Sequence, residues 1–94
     1  MPELRVNFYA SLRKISNGKT VRFQLPVETT VSQLLAAVID RYPPMRVKLL
    51  ADDGKLDRRA HIFINGRNCL LLDKDLQSPL SIEDAIDIFP IGHF

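Results

Sequence analysis

Only one segment of this chain reads as a long helix, and the sequence bounds it at both ends. In TTVSQLLAAVIDRYPP, residues 29–44, Val31, Leu34, Leu35, Val38 and Tyr42 fall on one stripe at helical spacing. Thr30 and Gln33 stand three apart, the spacing of a capping box, in which two side chains satisfy two free amides at a helix start. Pro43-Pro44 cannot continue the helix and turns the preceding residue away from helical angles. A single apolar stripe must be buried against another layer, so the remaining segments decide what that layer is.

Those segments alternate with the period of two that marks half-buried strands. Leu4, Val6 and Phe8 share one face of the first run, and Val21, Phe23 and Leu25 share one face of the second. Residues 10–16 read as a transition, Asn17-Gly18 as a turn, and Pro26 as the end of strand pairing. After the helix, residues 45–50 suit a short helical turn and residues 52–55 a loop. Strand patterns return at 61–64 and 67–70, joined by Asn65-Gly66, whose residues tolerate the positive φ of a tight hairpin turn. Residues 71–81 read as a loop with one helical turn, and 85–89 as the last strand. The expectation is one α+β domain over residues 1–94, a mixed sheet of four to five strands packed on one main helix. Residues 90–94 follow as a short tail. The predicted core is Val6, Phe8, Val21, Phe23, Ile62, Ile64, Ile86 and Ile88 beneath the helix stripe.

Composition excludes several classes of function. The longest apolar run, residues 34–39, is far short of the roughly 20 residues that span a bilayer, and the first residues lack the order of a secretion signal. The single cysteine, Cys69, fits a reducing cytoplasm and rules out an internal disulfide. Thirteen basic residues are interleaved with 11 acids for a net charge of +2, which argues against a nucleic-acid partner.

No catalytic constellation stands out. His61 and His93 are the two histidines, and neither has metal-ligand spacing to a second ligand. Cys69 reads as a small buried hydrophobe rather than a nucleophile. Asp52-Asp53, and Asp73 with Asp75, read as loop formers, and Arg58-Arg59 as a solvated strand start. The expectation is a non-catalytic protein with no catalytic residue, no metal and no cofactor. The outer face of the sheet is different. If Ile62, Ile64, Ile86 and Ile88 face the helix, Tyr9, Phe63 and Phe89 face away. An apolar patch there serves either to dock a protein or to be shielded by arginine stems such as those of Arg5 and Arg22.

Five stretches carry a resemblance to a known family. They are VNFYASLR at 6–13, TTVSQLLAAVIDRYP at 29–43, INGRN at 64–68, the L-x-x-P-L spacing at 76–80 and DxIDIFP at 84–90. Together the chain resembles the MoaD/ThiS group of ubiquitin-like β-grasp proteins, most of all the small subunit of molybdopterin synthase. The resemblance implies a β-grasp sheet with the first and last strands parallel at its centre. It implies a tail ending Gly-Gly, whose carboxylate is adenylated by an E1-like enzyme using ATP and converted to a thiocarboxylate for a larger partner subunit. Glycines suit a tail that threads a narrow channel, because they carry no side chain. Here the tail reads Pro90-Ile91-Gly92-His93-Phe94, with two bulky rings after the glycine. The role expected from this departure is docking on a larger protein, such as a molybdopterin-synthase-like subunit, without carrying sulfur. Phe63, Phe89, Pro90, Ile91, Gly92, His93 and Phe94 are the expected contact residues. The alternative is a sulfur carrier or ubiquitin-like modifier, trimmed to Gly92 and activated there by the E1-like enzyme.

Overall fold

The structure, a computed structural model, describes residues 2–93. Its strands are β1 (Glu3–Phe8), β2 (Thr20–Gln24), β3 (His61–Ile64), β4 (Arg67–Asn68) and β5 (Ile86–Phe89). Its helices are α1 (Ser11–Ser16), α2 (Val31–Arg41) and α3 (Arg46–Leu49), the last entered through a 3-10 turn at Pro43–Met45. The strands form one five-stranded sheet in the order β2-β1-β5-β3-β4. β1 and β5 run parallel at its centre, and the other pairs are antiparallel. This is the ubiquitin-like β-grasp arrangement.

Register explains the core. Val6 lies opposite Ile86 on one side and Val21 on the other, and Phe8 and Ile62 both flank Ile88. All eight expected sheet residues are buried, as are Val31, Leu34, Leu35 and Val38 of α2. The capping box forms as the sequence predicts: the Gln33 amide donates to Thr30 Oγ1 at 3.2 Å, and the Thr30 amide donates to Gln33 Oε1 at 2.9 Å. At the other end Tyr42, half-buried, sets its ring edge-on to Phe8 with centroids 6.1 Å apart. No helix among the described residues is long and apolar enough to cross a membrane.

Two local expectations are corrected. Residues 10–16 are not a mere transition but contain α1, a single short helix that buries Leu12 and ends on Asn17 at φ 60°. The second hairpin strand stops at Asn68 instead of reaching residue 70, because the Asn68 side chain accepts from the Leu70 amide at 3.0 Å and starts a 3-10 turn, Cys69–Leu71. The hairpin turn itself is as expected, with Asn65 at φ 55° and Gly66 at φ 79°.

Candidate functional site

On the outer face, β1 and β5 place Asn7, Tyr9, Asp87 and Phe89 side by side, with His61 and Phe63 of β3 next to them. The polar members are tied together across strands. The Asn7 amide donates to Asp87 Oδ1 at 3.0 Å, the Tyr9 hydroxyl donates to the same oxygen at 2.8 Å, and Thr20 donates to Asn7 at 2.7 Å. Asp87 therefore bridges the two parallel central strands, and its charge raises the Tyr9 phenol pKa through the hydrogen bond they share.

Beside this network the aromatic rings pack on one another. Tyr9 and Phe89 stack at 4.3 Å with an interplanar angle of 7°, and Phe63 meets Phe89 edge-on at 5.6 Å. His61 lies against Phe63, 5.9 Å away. All four rings are half-buried. Cations do approach this cluster, but they are Arg13 and Lys19, 5.2 and 5.4 Å from the Tyr9 centroid. Arg5 and Arg22, the stems named in the shielding alternative, face each other in register nearer the other end of β1. Arg13 also donates to the Phe8 carbonyl at 3.0 Å, which fixes its guanidinium beside the ring.

Past Phe89 the chain does not leave the domain at once. Pro90 is fully buried, so it anchors the strand end and offers no surface for contact. Ile91 packs partly on the core, and Gly92 is exposed at φ 78°, within a short turn at Ile91–His93. At that angle a side chain would be strained, which gives the glycine a backbone reason to be there. The His93 side chain and Phe94 lie outside the described residues.

The remaining candidates fall into structural roles. Cys69 is buried, and desolvation pushes its thiol up to about 11, away from the reactive thiolate. Asp53 accepts from the Lys55 amide at 2.9 Å in a local turn. Arg59 holds Asp57 through two side-chain hydrogen bonds of 3.0 Å each. No group of three His, Cys, Asp or Glu side chains among the described residues could hold a metal. The sequence reading sets Asp87 beside Phe89 on the outer face but gives it no partner, and it misses Asn7, Arg13 and Lys19. Alternation alone places Asn7 and Asp87 on the face of Tyr9 and Phe89, two residues earlier on each strand.

Comparison with known proteins agrees with this architecture. Small archaeal modifier protein 3 of Haloferax volcanii is 26% identical over 88 residues, covering 94% of each chain. The crystal structure of small archaeal modifier protein 1 from the same organism superposes with a TM-score of 0.82 at 22% identity, over 96% of this chain and 98% of that one. The BexX/CysO complex of Amycolatopsis orientalis contains a chain of similar fold, with a TM-score of 0.73 at 22% identity and 93% coverage of both. A family model described as the ThiS family matches residues 6–92, from the middle of β1 to the exposed glycine. Matched over nearly its whole length, this chain belongs to the ThiS family.

Proposed function

We propose that this protein is a sulfur carrier or ubiquitin-like modifier whose reactive group is the carboxylate of Gly92, exposed by removal of the residues after it. The observation that carries this reading is the end of the family match on Gly92. That residue is exposed and lies just past the buried Pro90. The similarity to small archaeal modifier proteins supports it as well. The protein supplies no catalytic side chain; the chemistry belongs to an E1-like partner. A Gly92 carboxylate oxygen attacks the α-phosphorus of ATP and pyrophosphate leaves. Hydrosulfide then attacks the acyl carbon and AMP leaves, which gives the thiocarboxylate. The enzyme must bring the carboxylate to the α-phosphate at bonding range, where a displacement of about 1 Å costs orders of magnitude in rate.

In the same reading, Phe63 and Phe89 are the apolar part of the docking face, and Ile91 and Gly92 are the segment handed to the partner. His93 and Phe94 are the residues removed. Complex formation by a protein of similar fold, seen with BexX, supports a docking step. The test is the intact mass of the protein isolated from its own cells, before and after incubation with ATP and the cognate E1-like enzyme. The expected results are a chain ending at Gly92, an adenylate, and an oxygen-to-sulfur mass increase. A chain that keeps residues beyond Gly92 in its own cells and stays inert with ATP overturns the carrier and leaves docking alone.

A further inference from the structure

The sheet has two edges, β2 and β4. An edge strand carries unpaired N–H and C=O groups that can pair with another chain. β4 closes its own edge, because it is two residues long and the Asn68 side chain turns the backbone away. β2 has five residues and no such stop. The Phe8 amide donates to the Lys19 carbonyl, and the Leu25 amide donates to the Pro2 carbonyl. In that register Val21 and Phe23 direct their backbone groups to β1, and Thr20, Arg22 and Gln24 direct theirs to the open edge. All three of these residues are exposed. The middle carbonyl, however, is taken. Arg41, at the end of α2, donates from Nη1 to the Arg22 carbonyl at 2.9 Å. Two rings hold its guanidinium there, with centroids 5.2 Å away for Phe23 and 5.5 Å for Tyr42.

We propose that β2 is an edge able to pair with β2 of a second copy of this chain, and that Arg41 is the latch that keeps it shut. The second copy is the occupant because the open edge is self-complementary. Two antiparallel β2 strands centred on Arg22 set Thr20 opposite Gln24 twice, the isologous arrangement of a two-fold dimer. In that register the two Arg22 residues exchange N–H and C=O as the central pair. An incoming strand must therefore take the carbonyl that Arg41 holds and displace a guanidinium fixed by Phe23 and Tyr42. The two Arg22 side chains also meet across the seam, where like charges oppose pairing. The edge is closed twice, by a bond and by charge. The inference does not rest on the carrier function, since β1 separates β2 from β5 and the tail.

The test is sedimentation of the full chain over a rising concentration series, for the native protein, Arg41→Ala and Arg22→Pro/Arg41→Ala. Amide exchange at Thr20, Arg22 and Gln24 locates any new contact. Arg41 is exposed and alanine is the best helix former, so Arg41→Ala should fold, which an unchanged melting curve establishes. If that variant does not fold, Arg41→Gln takes its place, keeping part of the stem and removing the charged fork. The Arg22 N–H faces outward, so proline there spares the β1–β2 ladder and removes a donor that only an added strand would use. The expected result is self-association of Arg41→Ala at about tenfold lower concentration than the native chain, from one bond no longer lost on pairing. Exchange at the three residues slows in that variant, and the double variant loses the gain. Equal sedimentation of the native chain and Arg41→Ala overturns the latch. Self-association that leaves those amides unprotected, or that survives Arg22→Pro, overturns the β2 seam. Protection that arises only when the E1-like enzyme is added assigns the edge to that enzyme and overturns self-pairing.

Discussion

The two faces of the central strand pair, β1 and β5, are built on different physics. Inward, Val6, Phe8, Ile86 and Ile88 are each 0% exposed and packed under α2. Their contribution comes from apolar area removed from water, which has no preferred direction and tolerates shape-matched substitution. Outward, Asn7, Tyr9, Asp87 and Phe89 are half-buried and joined by directed contacts: two hydrogen bonds to one carboxylate oxygen and one ring stack. The inner face holds the domain folded. The outer face contributes less to that and fixes the direction in which the chain leaves β5.

Substitutions test this division, beginning with the largest effect. Phe8→Ala should cost about 3–5 kcal/mol in urea unfolding, a large share of a small domain's stability. A loss below about 1 kcal/mol, the usual cost of a point mutation, would break the division. Phe63→Ser should cost about 1 kcal/mol, because the ring is half-buried and its aromatic contact is edge-on, yet it should weaken partner association measurably. A stability loss equal to that of Phe8→Ala would move Phe63 into the core. Tyr9→Phe keeps the stack and removes the bond to Asp87, at a cost of about 1 kcal/mol or less at this half-open position.

The same hydrogen bond has a pH signature. It favours the protonated phenol, so the folded-state pKa lies above the ordinary 10.0. Its stabilisation is fully present below that ordinary value and is lost as pH rises through the folded-state value. Tyr9→Phe should therefore flatten the alkaline fall in melting temperature. The smallest effect is at Asp57, whose carboxylate Arg59 lowers from 3.8 to about 2. Its contribution is present above the ordinary value and lost as pH falls toward about 2. Asp57→Asn should shallow the acid slope of the melting temperature slightly, and an unchanged slope would show that the exposed Arg59 exchanges freely with water.

What the sequence showed followed the locality of each signal. The capping box, the Pro-Pro stop and the Asn-Gly hairpin are set within a few residues, and each element formed where those residues placed it. α1 was not legible, because SLRKIS buries only Leu12 and has no side-chain cap, so packing and not pattern makes it a helix. β4 is shorter than expected because the Asn65-Gly66 turn calls for a second hairpin strand, while the Asn68 side chain diverts the backbone after two residues. On the outer face, alternation found Tyr9, Phe63 and Phe89, but Arg13 reaches Tyr9 from α1 and Lys19 from the residue before β2, both within the connection between β1 and β2. Only the fold of that connection decides which of the chain's cations arrive.

Burial of Pro90 turns the end of β5 into a ruler. With that ring locked in the core, slack begins at Ile91, and two residues up to Gly92 extend by at most about 7 Å. An enzyme that works on Gly92 without unfolding the strand end must bring its reactive atoms to within that span of the domain wall. In the proposed carrier function its depth matches that short reach, and one residue inserted before Gly92 should lower the rate of adenylation.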